Sequence, residues 1–486
     1  MKIFVILLTS ILFISFVHTD QVSAAVSYPS YNYSYWEDTD PAAVPYVPSH
    51  IIDGRNNEIG LFNGPEDIYV SNDNKIYVAD TGNNRIVILN QQFKLLDSIE
   101  SFQNGDRMDS FSQPSGIHVT DDHHIYVADT GNKRIVVLKD NQLTKEIGSP
   151  KSDVIREGFE YRPIKVAVDK ANRIFVIGRG IFDGIIEFDS DGDFTGFIGA
   201  NRVRFNPIDY VWRMIATDEQ RAKMALFIPM EFNNLNIDDE GFIYTTNAEE
   251  NTQIPIQRLN PTGENVLRNE GYHPIIGDLQ YAHTGSYTGT STFVDISVNE
   301  YGVYSALDMK RGRIFTYDED GNLLYVFGQI GTQVGTFRTP VAIDRIGEKI
   351  IVLDKGNHRL TVFEPTAFGS LVNEAVKYYF NGDDETSAHY WEDVLRLNVN
   401  YEIAYIGIGK SLLMKGKHEE AMSYFKNGHS RKYYSKAFKR YRQDLLREHF
   451  GTMMTIFVFI IVALLCIKPI INYRRKRVNI IGKGIH

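Results

Sequence analysis

The chain has 486 residues, 43% of them apolar and 12% aromatic, with 51 lysines and arginines against 61 aspartates and glutamates and a formal charge of −10. That length exceeds one compact core and predicts at least two domains, the apolar content excludes a disordered chain, and the mild acidity excludes wholesale nucleic-acid binding, which needs a concentrated basic face. Cys466 is the only cysteine, so neither a disulfide framework nor a cysteine metal site can form within one chain.

Residues 1–25 read as a secretory signal peptide. Lys2 precedes an apolar run, which ends in the small residues Val22, Ser23, Ala24 and Ala25, the order of a cleavable export signal. The run is short for a membrane span. Export without disulfides points to a bacterial envelope. Residues 26–45 carry no repeat signal and read as a linker.

Residues 75–89 then recur almost unchanged as residues 124–138, an offset of 49, and the same offset carries Pro65 onto Pro114 and Pro163. A fixed period of this size marks an array of stacked supersecondary units. Each unit alternates short apolar strands with turns rich in Asp, Asn and Gly, which are strand and hairpin signals. Units fall at 62–99, 111–148, 161–199, 229–267 and 292–328, and a sixth begins at 337 but supplies three strands before Pro365. Six four-stranded units predict an all-β six-bladed propeller over residues 46–365. Its last blade is completed by a strand near Tyr46 to Ile52, so removing that strand should destabilise the whole ring. Segments 200–228 and 268–289 are non-repetitive insertions.

The leading prolines Pro65, Pro114, Pro163 and Pro340, with the Ala-Asp-Thr-Gly-Asn-x-Arg segments ending at Arg85 and Arg134, resemble the NHL-repeat family of propellers. Asp80 and Arg85, Asp129 and Arg134, Asp308 and Arg313, and Asp354 and Arg359 keep one five-residue spacing. A carboxylate and a guanidinium so spaced can tie a hairpin, and a motif repeated around a ring is scaffold rather than active site.

From residue 366 the spacing turns helical. Tyr405, Ile408, Gly409, Ala421 and Phe425 resemble the packing positions of a tetratricopeptide repeat, and Leu371, Ala375, Tyr378 and Trp391 mark a degenerate earlier copy. Residues 366–450 are therefore expected to be a TPR-like helical domain, whose last stretch runs into the next segment. Residues 451–472 read as a transmembrane helix, since 452–467 holds no charge and approaches the roughly 20 residues that cross a bilayer. Residues 473–486 read as a basic cytoplasmic tail, with Arg474, Arg475, Lys476 and Arg477 as the inside flag. Basic residues also precede the span, from Arg431 to Arg447. The export signal breaks that tie and places the propeller outside.

Propellers bind ligands where their innermost strands begin. Two residues beyond each strand start lie Asp67, Gly116, Lys165, Asn234, Asp295 and Ala342, so Asp67, Lys165, Asn234 and Asp295 are the candidate ligand-binding residues. Three readings of this set stay open: a structural ion pair through Lys165, a small-ligand site, and oxygen ligands for a divalent cation such as calcium. No other cofactor is expected. His118, His123 and His124 lack metal-ligand pairing, and no nucleophile elbow, phosphate loop or His-Glu-x-x-His segment is present. The expectation is a single-pass cell-membrane protein, its N-terminal domain extracellular and its tail cytoplasmic. It would act as a recognition or scaffold protein binding a protein, peptide or carbohydrate, with helices contacting a membrane or envelope complex such as a transporter. The alternative is a metal-dependent lactonase, hydrolase or lyase of the gluconolactonase-like propeller type.

Overall fold

The computed structural model describes residues 26–481 except 56–57, 153–154, 156–158, 200–230, 248, 250–251 and 282–286. The export signal and the insertion at 200–228 thus lie outside the described residues. The chain divides into two compact units, 1–376 and 377–486.

The first unit is a six-bladed propeller. Blade 1 is Asp67–Val70, Ile76–Asp80, Arg85–Leu89 and Leu95–Ile99, and blade 2 is Pro114–Val119, Ile125–Asp129, Arg134–Lys139 and Gln142–Ile147. Blade 3 is Pro163–Val168, Ile174–Gly178, Ile185–Phe188 and Phe194–Ile198, and blade 5 is Phe293–Val298, Tyr304–Asp308, Arg313–Tyr317 and Leu323–Phe327. Blade 4 shows three strands among the described residues, Phe232–Ile237, Ile243–Asn247 and Ile256–Leu259, and its expected fourth shrinks to a bridge between Leu259 and Asn265. Blade 6 is Pro340–Ile346, Lys349–Asp354, Arg359–Pro365 and the N-terminal strand Tyr46–Ile52, which runs antiparallel to its neighbour with Tyr46 opposite Pro365 and Ile52 opposite Leu360.

The apolar core lies in the wedges between blades. Successive side chains of a strand face opposite ways, so Ile76 and Val78 enter the wedge shared with blade 6 while Tyr77 and Ala79 enter the wedge shared with blade 2. Second strands are thus buried on both faces and read as apolar runs rather than alternating ones. The wedge between blades 5 and 6 is aromatic: Tyr46 stacks on Phe327 at 5.2 Å, and Phe363 meets Phe327 at 5.5 Å.

Two features depart from the sequence reading. Residues 26–45, expected as a linker, contain a hairpin of Tyr31–Tyr33 and Thr39–Pro41 that extends the outer edge of blade 5. The cause is aromatic and polar burial together. Tyr31 and Tyr33 are buried, both hydroxyls donate to the buried Asp278 carboxylate, and His273 of the insertion reaches the Ser34 carbonyl at 2.7 Å. A second hairpin, Ser101–Asn104 with Arg107–Ser110, joins the rim of blade 2 through a parallel bridge from Gln103 to Gln142.

Five helices follow the propeller: α1 (Ala367–Phe380), α2 (Asp384–Leu397), α3 (Glu402–Met414), α4 (His418–Asn427) and α5 (Arg431–Ile481). Thr366 caps α1, its hydroxyl accepting from the Gly369 N–H at 3.2 Å, and Asp383 caps α2 through the Thr386 N–H at 3.0 Å, each satisfying a donor left free by the helix start. In the second unit α2 packs on α3, α3 on α4, and α4 on α5. The seams demand glycine. A Cβ on Gly409 would stand 2.6 Å from Phe425 Cε1, and one on Gly407 2.3 Å from Trp391 Cδ1. Helix α5 contains an 18-residue stretch of mean hydropathy 2.7, none of it buried, and is the one described helix long and apolar enough to cross a membrane.

Candidate functional site

The six predicted positions sit at the starts of the innermost strands, and in five of the blades a local irregularity sets their direction. In blades 2 to 6 the pairing of the first two strands slips by one residue just after its start, at Pro114/Gly116, Pro163/Lys165, Phe232/Asn234, Phe293/Asp295 and Pro340/Ala342. A bulge of this kind re-aims the following side chain. Asp67, Lys165, Asn234 and Asp295 are all buried, with relative exposures of 5%, 9%, 3% and 4%, and all line a cavity of about 340 Å³.

Lys165 Nζ donates to Asp67 Oδ1, and Asn234 Nδ2 donates to Asp295 Oδ1. The other carboxylate oxygens are also engaged. Asp67 Oδ2 accepts the N–H of Ile117 in blade 2 at 2.8 Å, and Asp295 Oδ2 accepts the N–H of Ile343 in blade 6 at 2.6 Å. Asp344 of blade 6 continues the pattern by accepting the Val70 N–H of blade 1 at 2.7 Å and the Ser297 hydroxyl at 3.0 Å. Innermost strands have no neighbour on the channel side, so their outward N–H groups need another acceptor. A carboxylate from the adjoining blade supplies it. Between blades 2 and 3 the backbones close up instead, since a Cβ on Gly116 would stand 2.5 Å from the Ile164 carbonyl oxygen.

Burial raises the Asp67 carboxyl against the pull of Lys165. Burial also works to lower Lys165, but the Asp67 and Asp295 carboxylates outweigh it and hold the ammonium charged. Asp295 is pushed up to about 8, chiefly by burial, with Lys165 opposing and Asp67 adding to the rise. Asp344 rises to about 6 through burial, opposed by the N–H groups it accepts. His118 is lowered to about 4 by burial.

The predicted set is incomplete. Stepping two residues onward from each position keeps a strand side chain on the same face, and from Asp67, Gly116, Asn234 and Ala342 this arrives at Tyr69, His118, Asn236 and Asp344, which line the same cavity. Strand parity was the available signal. Tyr69 and His118 face each other at 4.8 Å between ring centroids, and beyond them a second cavity of about 370 Å³ opens among Thr120, Asp121, Asp169 and Asp238. Among the described residues no group of three or more His, Cys, Asp or Glu side chains is placed to hold a metal ion. His124 is paired with Asp122 at 2.8 Å, and His123 occupies a turn at φ 66°.

The repeated Asp/Arg positions lie at the hairpins. Arg85 Nε meets Asp80 at 2.7 Å and Arg134 Nε meets Asp129 at 2.9 Å. In blades 5 and 6 the expected partner changes: Arg313 bonds Asp278, and Arg359 donates to the Thr336 carbonyl at 3.0 Å. What recurs is the backbone contact. Asp80, Asp129, Asp308 and Asp354 accept the N–H of Asn63, Ser112, Thr292 and Thr339 at 2.7, 2.7, 2.9 and 2.8 Å, pinning the segment that leads into each blade. Arg313 is drawn off because the insertion brings a fully buried carboxylate, Asp278, beside it.

Residues 62–89 and 111–138 match the NHL repeat, so blades 1 and 2 are NHL repeats. No curated protein matches the chain in sequence. Among solved structures, virginiamycin B lyase from Staphylococcus aureus is similar at 12% identity, over 65% of this chain and 98% of that one, with a TM-score of 0.40. A putative gluconolactonase is similar at 13% identity, over 70% and 98% of the two chains, with a TM-score of 0.40. At these values no chemistry carries over from either to this chain.

Proposed function

We propose that this chain is a membrane-anchored, extracytoplasmic recognition protein. In this reading the propeller presents its channel mouth to a peptide, protein or carbohydrate, the TPR-like helices contact an envelope partner such as a transporter complex, and α5 anchors both. The observation that carries the reading is the unbroken course of α5 from the helical hairpins into an exposed apolar stretch of mean hydropathy 2.7. An apolar surface of that size is stable only in lipid or against a partner.

The channel supports recognition over catalysis. The carboxylate oxygens of Asp67, Asp295 and Asp344 accept from Lys165, Asn234, Ser297 or backbone N–H groups, so a divalent ion there would have to displace bonds that join the blades. Polar surface not tied into these bonds remains farther out, at Asn236 and Glu300. The test is surface labelling with a membrane-impermeant amine reagent on intact cells, followed by crosslinking and mass spectrometry of native membranes. Propeller lysines should label without lysis, and a defined membrane partner should crosslink to residues 377–450. Labelling only after lysis overturns the orientation.

A further inference from the structure

Helix α5 carries a second chemical feature before its apolar stretch. Residues 431–450 hold Arg431, Lys432, Lys436, Lys439, Arg440, Arg442 and Arg447 against Asp444 and Glu448, seven cations less two carboxylates, or +5, on a chain whose total is −10. All seven cations are exposed. Asp444 is committed to His418, and Lys436 and Arg442 lie over the Tyr433 and Phe438 rings at 4.9 and 5.8 Å. Among the described residues Arg431, Lys436, Lys439, Arg442 and Arg447 have no ion-pair partner. The face so charged is complementary to an anionic surface.

We infer that the membrane-proximal end of this face, Arg447 with Arg442, binds the headgroups of anionic phospholipids in the leaflet where α5 enters. This rests on the anchoring proposed above. Helix geometry sorts the cations. With a rise of 1.5 Å per residue, Arg447 stands about 7.5 Å along the axis from Thr452, where the charge-free stretch begins, and Arg442 about 15 Å. Headgroups extend roughly 5 to 8 Å beyond the hydrocarbon, and screening cuts the remaining field to about a third over about 8 Å more. Arg447 therefore sits among the headgroups and Arg442 within one screening length of them. Lys436 and Arg431, at about 24 and 31 Å, are beyond the field's reach. Phe450, exposed at 62%, lies between Arg447 and the core, where apolar side chains meet acyl chains.

The test uses the full-length chain reconstituted in phosphatidylcholine bilayers, with spin-labelled phosphatidylglycerol and phosphatidylcholine as probes of the lipid shell. Phosphatidylglycerol should be preferred, and Arg447→Gln should cut that preference by about fivefold, the effect of one charge at the surface. Arg442→Gln should cut it less, Lys436→Gln should leave it unchanged, and rising salt should erase it. Equal partition of the two lipids around an inserted protein at low salt overturns the inference alone, as does a Lys436→Gln effect equal to that of Arg447→Gln. Release of the chain by carbonate wash overturns the anchor as well.

Discussion

Substituting Asp67 by Asn tests whether the ring is held by buried polar bonds across its channel. Asp67 and Lys165 are 98 residues apart in sequence, and both are buried beside the cavity. Asp67→Asn removes the charge facing the Lys165 ammonium and leaves one acceptor oxygen where two were in use, for Lys165 and for the Ile117 N–H. Breaking one side of a buried pair costs about 3–5 kcal/mol because the remaining charge stays desolvated. The nearby Asp295 carboxyl offsets part of this, so about 3 kcal/mol is expected. Asp73→Asn provides the contrast. Asp73 also pairs directly with a lysine, Lys75, at 2.8 Å, but both side chains are more than a third exposed, at 35% and 39%, and such pairs contribute at most about 1 kcal/mol. The assay is urea unfolding of the full-length protein in detergent, followed by near-ultraviolet circular dichroism. Asp67→Asn combined with Lys165→Met should recover most of the loss, since replacing both charges removes the stranded ion. Equal midpoints for Asp67→Asn and Asp73→Asn, or a double variant as unstable as the two losses added, would refute the argument.

Other expectations follow from the same geometry. Tyr46→Ala, at a fully buried side chain stacked on Phe327 and bonded to Asn373, should cost about 3–5 kcal/mol; hydrogen exchange should then rise in blades 5 and 6 together, whereas exchange confined to the N-terminal strand would contradict ring closure. Gly409→Ala forces a methyl against Phe425 and should lower stability of the helical unit by about 1–3 kcal/mol, read as a lower helical melting midpoint. For Asp295 the native carboxyl is pushed up to about 8 while the unfolded one titrates near 4. The native state therefore keeps a proton that the unfolded state has lost, so this contribution is complete below about pH 4 and disappears as pH rises through about 8, at no more than about 1.4 kcal/mol per unit. Asp295→Asn should flatten that decline in unfolding midpoints; an unchanged slope would show that another group titrates.

The sequence carried the propeller because each blade is built locally. The 49-residue repeat, the Asp-Thr-Gly-Asn hairpins and the incomplete sixth unit are short-range signals, and together they led to six blades closed by Tyr46–Ile52. Helix positions such as Gly409 and Phe425 were readable for the same reason. The channel was only half legible. Asp67, Lys165, Asn234 and Asp295 could be counted from the strand starts, but Asp344 and His118 needed the strand alternation to be followed one step further.

What tertiary structure alone decided is partner choice. Arg313 has its motif aspartate five residues away, yet it pairs with Asp278, and the supposed linker folds because Tyr31 and Tyr33 reach that same buried carboxylate. Asp344 looks like an ordinary strand residue until Val70, 274 positions distant, presents a backbone N–H that no strand satisfies. Local spacing sets which groups a chain possesses and which way a strand turns them. Desolvation sets which groups must find one another, and that is fixed only when the blades close around the channel.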